Sequence, residues 1–360
     1  MQVVIKKAAI LLGMALLFFF ISRFDSFCYQ QPVGEVLSEK TSFVSDSEDE
    51  HGNQDKNYKQ TLTVKIVNRG GKVVEVDNGF LSSKAESSQY KVHDQLLLTK
   101  VGQQYQVDMP KRDSLLFGLV ALLLTGLYMA SGWRKFSYLT LSLVVNALLF
   151  LSVVIWDSHS RSFPVLPIFS VLALVLAAVA LVLVLGKNQQ ALITWVATCV
   201  ATLLALIAMA LALAVTGSSG VHFETMSYVT QVPAPIFYSQ AVIGVLGAVM
   251  DESGDIVAGL YGMQRESTDR SFMEYYRSGL SVGKEILGTL TNVLFMIFIA
   301  ETLPMVVLML RNGNNWGYIL DQAMNLGILQ TVVSALGIVW AVPVTAFLAA
   351  KVLTRKREVG

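Results

Sequence analysis

From residue 113 onward the chain is a succession of apolar runs of bilayer length, and no other property restricts its fold as tightly. Two of them, LALVLAAVALVLVLG at 172–186 and TLLALIAMALALAVTG at 202–217, have no polar face at all. Backbone N–H and C=O groups placed in hydrocarbon must be satisfied within the segment, which leaves the α-helix as the form such runs take. At 1.5 Å per residue, about 20 apolar residues cross a core of about 30 Å. Seven runs qualify, at 115–130, 136–156, 163–185, 191–215, 233–250, 286–310 and 326–350, and an eighth, 3–22, opens the chain around Lys6 and Lys7. With 54% hydrophobic and 15% charged residues among 360, the expectation is a polytopic α-helical membrane protein of about eight spans. The two runs without a polar face are expected to face lipid or to serve as scaffold.

The first run, residues 1–22, reads as a signal-anchor helix. Its exit, Ile21 to Cys28, lacks a small-x-small cleavage pattern, and Phe27 before Cys28 does not fit a lipoprotein site. Residues 23–57 are polar, acidic and nearly without aliphatics over 38–59, a composition that cannot offset its chain entropy, so a flexible stalk is expected. Residues 58–112 change character. Leu62, Val64 and Ile66 alternate with polar neighbours, Gly70-Gly71 marks a hairpin turn into 73–76, and 90–98 and 104–107 supply two further strands. This predicts a small all-β domain of OB-like or SH3-like barrel size between the first and second helices, marginal alone and leaning on the rest of the chain or a partner. Residues 113–350 form the seven-helix membrane domain, and 351–360 a basic tail.

Basic residues fix an orientation. Lys6, Lys7, Arg134, Lys135, Lys187, the Arg265/Arg270/Arg277/Lys284 loop and Lys351/Arg355 fall on one face of an eight-span chain. That is the positive-inside face, so both termini are expected in the cytoplasm and residues 23–112 outside, with Arg161, Arg311 and Lys111-Arg112 as outward exceptions.

Polar positions within or beside the spans are the candidate site. If the sixth run stays helical through Ala258, Gly244, Gly247, Asp251, Gly254, Asp255 and Ala258 share an arc of roughly 100°. Either Asp251, Glu252 and Asp255 end that span at the cytoplasmic surface, or the helix continues and sets them in a polar cavity. In the seventh run Glu285, Gly288, Thr289 and Asn292 share a face. Glu285 suits a first helical turn, while Thr289 and Asn292 need hydrogen-bond partners on a neighbouring helix. Glu301 lies deep in the same run, beside Pro304. Consecutive antiparallel spans would bring Lys284 opposite Asp251 or Asp255. Gly244, Gly247, Gly254 and Gly288 are the helix-packing candidates.

At Gly247-Ala-Val-Met-Asp251, at Ser278-Gly279-Leu-Ser-Val-Gly283-Lys-Glu-Ile-Leu-Gly288-Thr-Leu-Thr-Asn292, at Leu303-Pro304 and at Val342-Pro-Val-Thr345, the sequence resembles the YibE/F family of bacterial multi-pass membrane proteins. It departs from that pattern where Lys284-Glu285 replaces Arg-Asp, and where Glu252, Asp255 and Glu301 stand. The resemblance implies a bacterial plasma-membrane protein of permease-like layout with an N-terminal β domain. It also implies a partnership with a shorter YibF-like membrane subunit that lacks the β domain.

Other classes are excluded by what is missing. A net charge of +1 without a basic block gives no nucleic-acid footprint, and two cysteines and four scattered histidines show no disulfide or zinc spacing. No nucleophile elbow, P-loop or metal-hydrolase motif occurs, so neither an enzyme nor a cofactor is expected. Two readings stay open: a permease-like or transport-associated subunit of unspecified substrate, and a non-transporting anchor that positions the β domain for an envelope partner; the membrane partner is expected to be the shorter YibF-like subunit or a second copy in a homo-oligomer. A cavity lined by Asp251, Glu285 and Asn292 favours the first and a dry bundle the second.

Overall fold

The computed structural model describes residues 2–48, 52–84, 87–159, 164–226, 233–267 and 269–359; Arg161 and the expected span start at Phe163 lie outside these. The chain forms two compact units, residues 1–136 and 137–360. Eight helices are long and apolar enough to cross a membrane.

In the first unit, helix α1 (Gln2–Arg23) and helix α2 (Asp113–Ser131) pack side by side and antiparallel. Gly118 permits this, because a Cβ there would stand 3.3 Å from the Ala15 carbonyl. Between them in sequence come five antiparallel strands, β1 (Val33–Glu48), β2 (Gln54–Ile66), β3 (Val73–Leu81), β4 (Gln95–Val101) and β5 (Gln104–Pro110), hydrogen-bonded in the order β3-β2-β1-β4-β5. β3 also comes against β5, which gives the connectivity of a five-stranded OB-type barrel. The alternation read from sequence is the barrel core: Val36, Leu62, Val64, Ile66, Val76, Leu96 and Leu98 are buried together. Gly70 and Gly71, at φ +72° and +68°, turn β2 into β3.

The stalk expected over residues 23–57 is corrected by the structure. Residues 33–48 are β1, and the β domain therefore starts about 25 residues before the expected boundary at 58. Composition misled because the outer half of this hairpin is exposed on both faces and carries polar residues. Its stability comes from pairing and from Gln60, which is fully buried. The Gln60 amide donates to Glu39, Thr41 and the Tyr90 carbonyl and accepts from Tyr90 N–H (3.0 Å) and Asn78 (3.2 Å). One polar side chain thus ties β1, β2, β3 and the approach to β4.

The junction of the β domain with α1 and α2 is built on Lys111. Its side chain is 1% exposed and its Nζ lies 2.8 Å from Asp25, 3.0 Å from Asp113 and 2.6 Å from the Ser22 carbonyl, over the Tyr29 ring. Tyr29 donates its hydroxyl to Asp113, and burial, with that carboxylate beside it, pushes the phenol well above its ordinary range.

The second unit carries α3 (Trp133–His159, from its second turn), α4 (Val165–Leu185), α5 (Gln189–Thr216), α6 (Pro233–Glu266), α7 (Phe272–Arg311), a short turn α8 (Trp316–Tyr318) leading through a π-helical segment (Ile319–Met324), and α9 (Asn325–Val359), which continues into the residues expected as a tail. α9 packs along α5, α6 and α7. Ala197, Ala201 and Ala205 of α5, four residues apart, are fully buried, and Thr194, Thr198 and Thr202 beside them are buried too, so α5 serves as scaffold along this side while its leucine-rich face stays exposed. Gly337 of α9 lets three helices meet: a Cβ there would lie 2.8 Å from Val245 and Val249 of α6 and 3.6 Å from Ala205.

Candidate functional site

The α6–α7–α9 junction is set by glycines of α7. A Cβ on Gly283 would stand 2.6 Å from Val342 and 3.1 Å from Ile256; one on Gly279 would stand 2.8 Å from Ala346 and 3.2 Å from Leu260. Two motifs more than fifty residues apart, Gly279 to Gly283 and Val342 to Thr345, therefore meet in space. Thr345 bonds across to Ser253 of α6 at 3.0 Å, rather than to a carbonyl freed by Pro343. As Leu260 gives way to Ile256, Gly279 gives way to Gly283, so α6 and α7 run antiparallel, with Gly259 resting on Val282.

That register assigns depth. On α7 the exposed apolar side chains run from Val293 to Leu310, through Met296, Ile299, Leu303 and Met305. This stretch rises about 27 Å, close to the thickness of hydrocarbon. By the Gly259–Val282 contact, Asp255 is level with about Ile286 and Asp251 with about Leu290, both beyond the start of this band at Val293. The sixth helix does continue, unbroken to Glu266, yet Asp251 and Asp255 project from its exposed face, level with the Val293 end of the band.

The candidates do not converge on a cavity. Asp251, Asp255, Lys284, Glu285, Gly288, Thr289, Asn292 and Glu301 are all exposed within the chain. Lys284 makes no ion pair with Asp251 or Asp255 among the described residues. It follows Gly283, which faces α6 and α9, and the next residue is turned about 100° away. Of the expected packing glycines, Gly244 meets Gln330 (Nε2 3.0 Å from an added Cβ), whereas Gly247, Gly254 and Gly288 have nothing within 4 Å. Close packing is done by Gly279, Gly283, Gly327 and Gly337 instead.

Two acids stand apart from the others, one at the depth its spacing implied and one enclosed. Glu301 falls at the middle of the Val293–Leu310 band, exposed and without a hydrogen bond or ion pair among the described residues. At its depth on α6 is Gln240, also exposed, whose amide donates to Gln330 of α9 at 2.9 Å. Glu252 is the reverse case, fully buried with neither oxygen partnered. The sequence signal for it was the stripe Val245, Val249, Glu252, Ile256, which places an acid in an apolar seam.

The sequence pattern of YibE/F-like proteins matches residues 116–355, and that of the YibE/F family N-terminal domain matches residues 27–109. The chain belongs to the YibE/F family. The N-terminal match coincides with the β domain as the structure bounds it, and the longer match takes in α2 to α9, including the motifs that meet at Gly283 and Val342. No curated protein and no solved structure is matched by this YibE/F chain.

Proposed function

We propose that this YibE/F protein is one subunit of a membrane permease whose polar path is completed by a second membrane chain. The observation that carries this reading is Glu301. A carboxylate at mid-depth on a lipid-facing surface is expensive unless another polar surface covers it. Along α6, exposed Gln240, half-buried Gly244 and Gly247, and exposed Asp251 offer a small and polar stripe that runs from that depth to the end of the band. A shorter YibF-like subunit is the proposed partner. In this reading the chain sits in the bacterial plasma membrane with both termini cytoplasmic and residues 23–112 outside.

Purification from mild detergent with mass measurement tests the assembly, and a transport screen in cells lacking the protein tests the activity. Glu301→Gln and Asp251→Asn should each lower transport, and Glu301→Arg should dissociate the complex. A strictly monomeric particle that still complements the cells would overturn the reading. Orientation is tested on a Cys28→Ser background, where Lys100→Cys should react with an impermeant maleimide in intact cells and Lys187→Cys should not.

A specific observation favours the anchor as a second reading. The buried Lys111 junction fastens the β domain to α1 and α2, as a scaffold presenting that domain would require. Deleting the β domain separates the two, since an anchor loses all function and a permease keeps a membrane activity.

A further inference from the structure

Glu252 is the one acid of the α6 trio that the fold encloses, and helix register says by what. Val245 and Val249 precede it on the same seam and meet Gly337 of α9, while Ile256, one turn on, meets Gly283 of α7 beside Val342 of α9. Glu252 is therefore held where α6, α7 and α9 converge, near the Val293 end of the lipid-facing band.

The ionisable groups around it offer no counter-charge. On α6 itself Asp251 and Asp255 are exposed acids and Tyr261 a buried phenol; α7 contributes buried Tyr275 and exposed Lys284 and Glu285. α9 has no ionisable residue between Asp321 and Lys351, α4 has none, and α5 has only Cys199. Among the described residues no cation pairs with Glu252, and both its oxygens lack donors. The adjacent residue, Ser253, accepts from the hydroxyl of Thr345 on α9 at 3.0 Å, the one hydrogen bond it makes to that helix among the described residues. A modest parting of these helices would admit water to the carboxyl.

The geometry points to Glu252 as a proton-binding carboxyl, enclosed by α6, α7 and α9 in the conformation described and reached by water when the three helices separate. The chemistry is a single proton transfer: the carboxylate takes a proton from water at the inner surface when open and returns one to water on reopening, with no other bond made or broken. Its role as the coupling group of transport rests on the permease reading, but its proton binding does not. An acid kept for this use, and not for packing, can be replaced by an apolar residue of similar volume without loss of stability.

Infrared spectroscopy of the full chain in lipid nanodiscs, titrated from acid to alkaline pH, reads the carboxyl directly. On a Glu301→Gln background, which removes the other unpartnered carboxyl at membrane depth, the C=O stretch of a protonated acid free of hydrogen bonds should be present, fade as pH rises, be missing once Glu252→Gln is added, and persist when Asp251→Asn or Asp255→Asn is added instead. Glu252→Met should unfold at or above the wild-type temperature. A carboxyl band unchanged in Glu252→Gln, or no titrating band, would overturn the assignment, as would a Glu252→Met protein less stable than the wild type. No transported substrate enters these measurements, so a failed transport screen and a failed titration are separate results.

Discussion

Replacing Lys111 by Met should open the junction between the β domain and helices α1 and α2. The side chain is 1% exposed, and the two acids it contacts are themselves largely covered, at 20% for Asp25 and 16% for Asp113. Met keeps most of the volume and removes the charge, so the loss is electrostatic. Asp113 retains the Tyr29 hydroxyl and the Ser114 N–H (2.8 Å), but among the described residues Asp25 Oδ1 has only its ionic contact with Lys111 and no aligned hydrogen bond. Removing one partner of a buried pair costs about 3–5 kcal/mol. At 1.4 kcal/mol per tenfold, the midpoint is about a 10³-fold rise in the local opening equilibrium. Hydrogen exchange of residues 22–29 and 111–114, measured on the full chain in detergent, reads that equilibrium. Adding Asp25→Asn to Lys111→Met should recover part of the loss, because the stranded anion is then gone. Exchange in Lys111→Met within threefold of the wild type would refute the reasoning, since it would mean that water already screens the cluster.

His222 bridges Glu224 (2.9 Å) and Asp321 (3.1 Å), and its hydrogen bond to Glu224, with help from Asp321, raises its pKa above the ordinary 6.5. A raised folded-state value means the clamp is complete below about pH 6.5 and is lost as pH rises through the folded value; the protection factors of residues 217–226, corrected for the intrinsic pH dependence of amide exchange, should fall over that range and stay level with pH in His222→Gln. Gly283→Ala, which puts a methyl 2.6 Å from Val342, should cost about 1–3 kcal/mol in thermal unfolding, while Gly247→Ala, with open space, should stabilise by up to about 1 kcal/mol. If Gly247→Ala nevertheless impairs function, the open face of α6 is covered by another chain. Gln60→Leu strands the Tyr90 N–H and should lower β-domain stability by about 1–3 kcal/mol, measured by exchange of residues 54–66.

The spans were readable because each helix in lipid must close its own backbone hydrogen bonds, which makes length and hydropathy sufficient to place it. The barrel strands Leu62 to Ile66 and Val73 to Val76 were readable for a related reason: one buried face imposes a period of two. β1 was not, because an exposed hairpin arm has the composition of an unfolded segment and is fixed by its partner strand and by Gln60. The candidate site divides in the same way. Sequence spacing grouped Asp251, Asp255, Glu285, Thr289 and Asn292 on two polar faces, since the helical period is local. Which face turns inward depends on which neighbours the glycines admit, and Gly279 and Gly283, meeting Ala346 and Val342, rotate the grouped residues outward. The same contact encloses Glu252, a property that arises only when helices distant in sequence come together, whereas the depth of Glu301 was legible from its place within its own run.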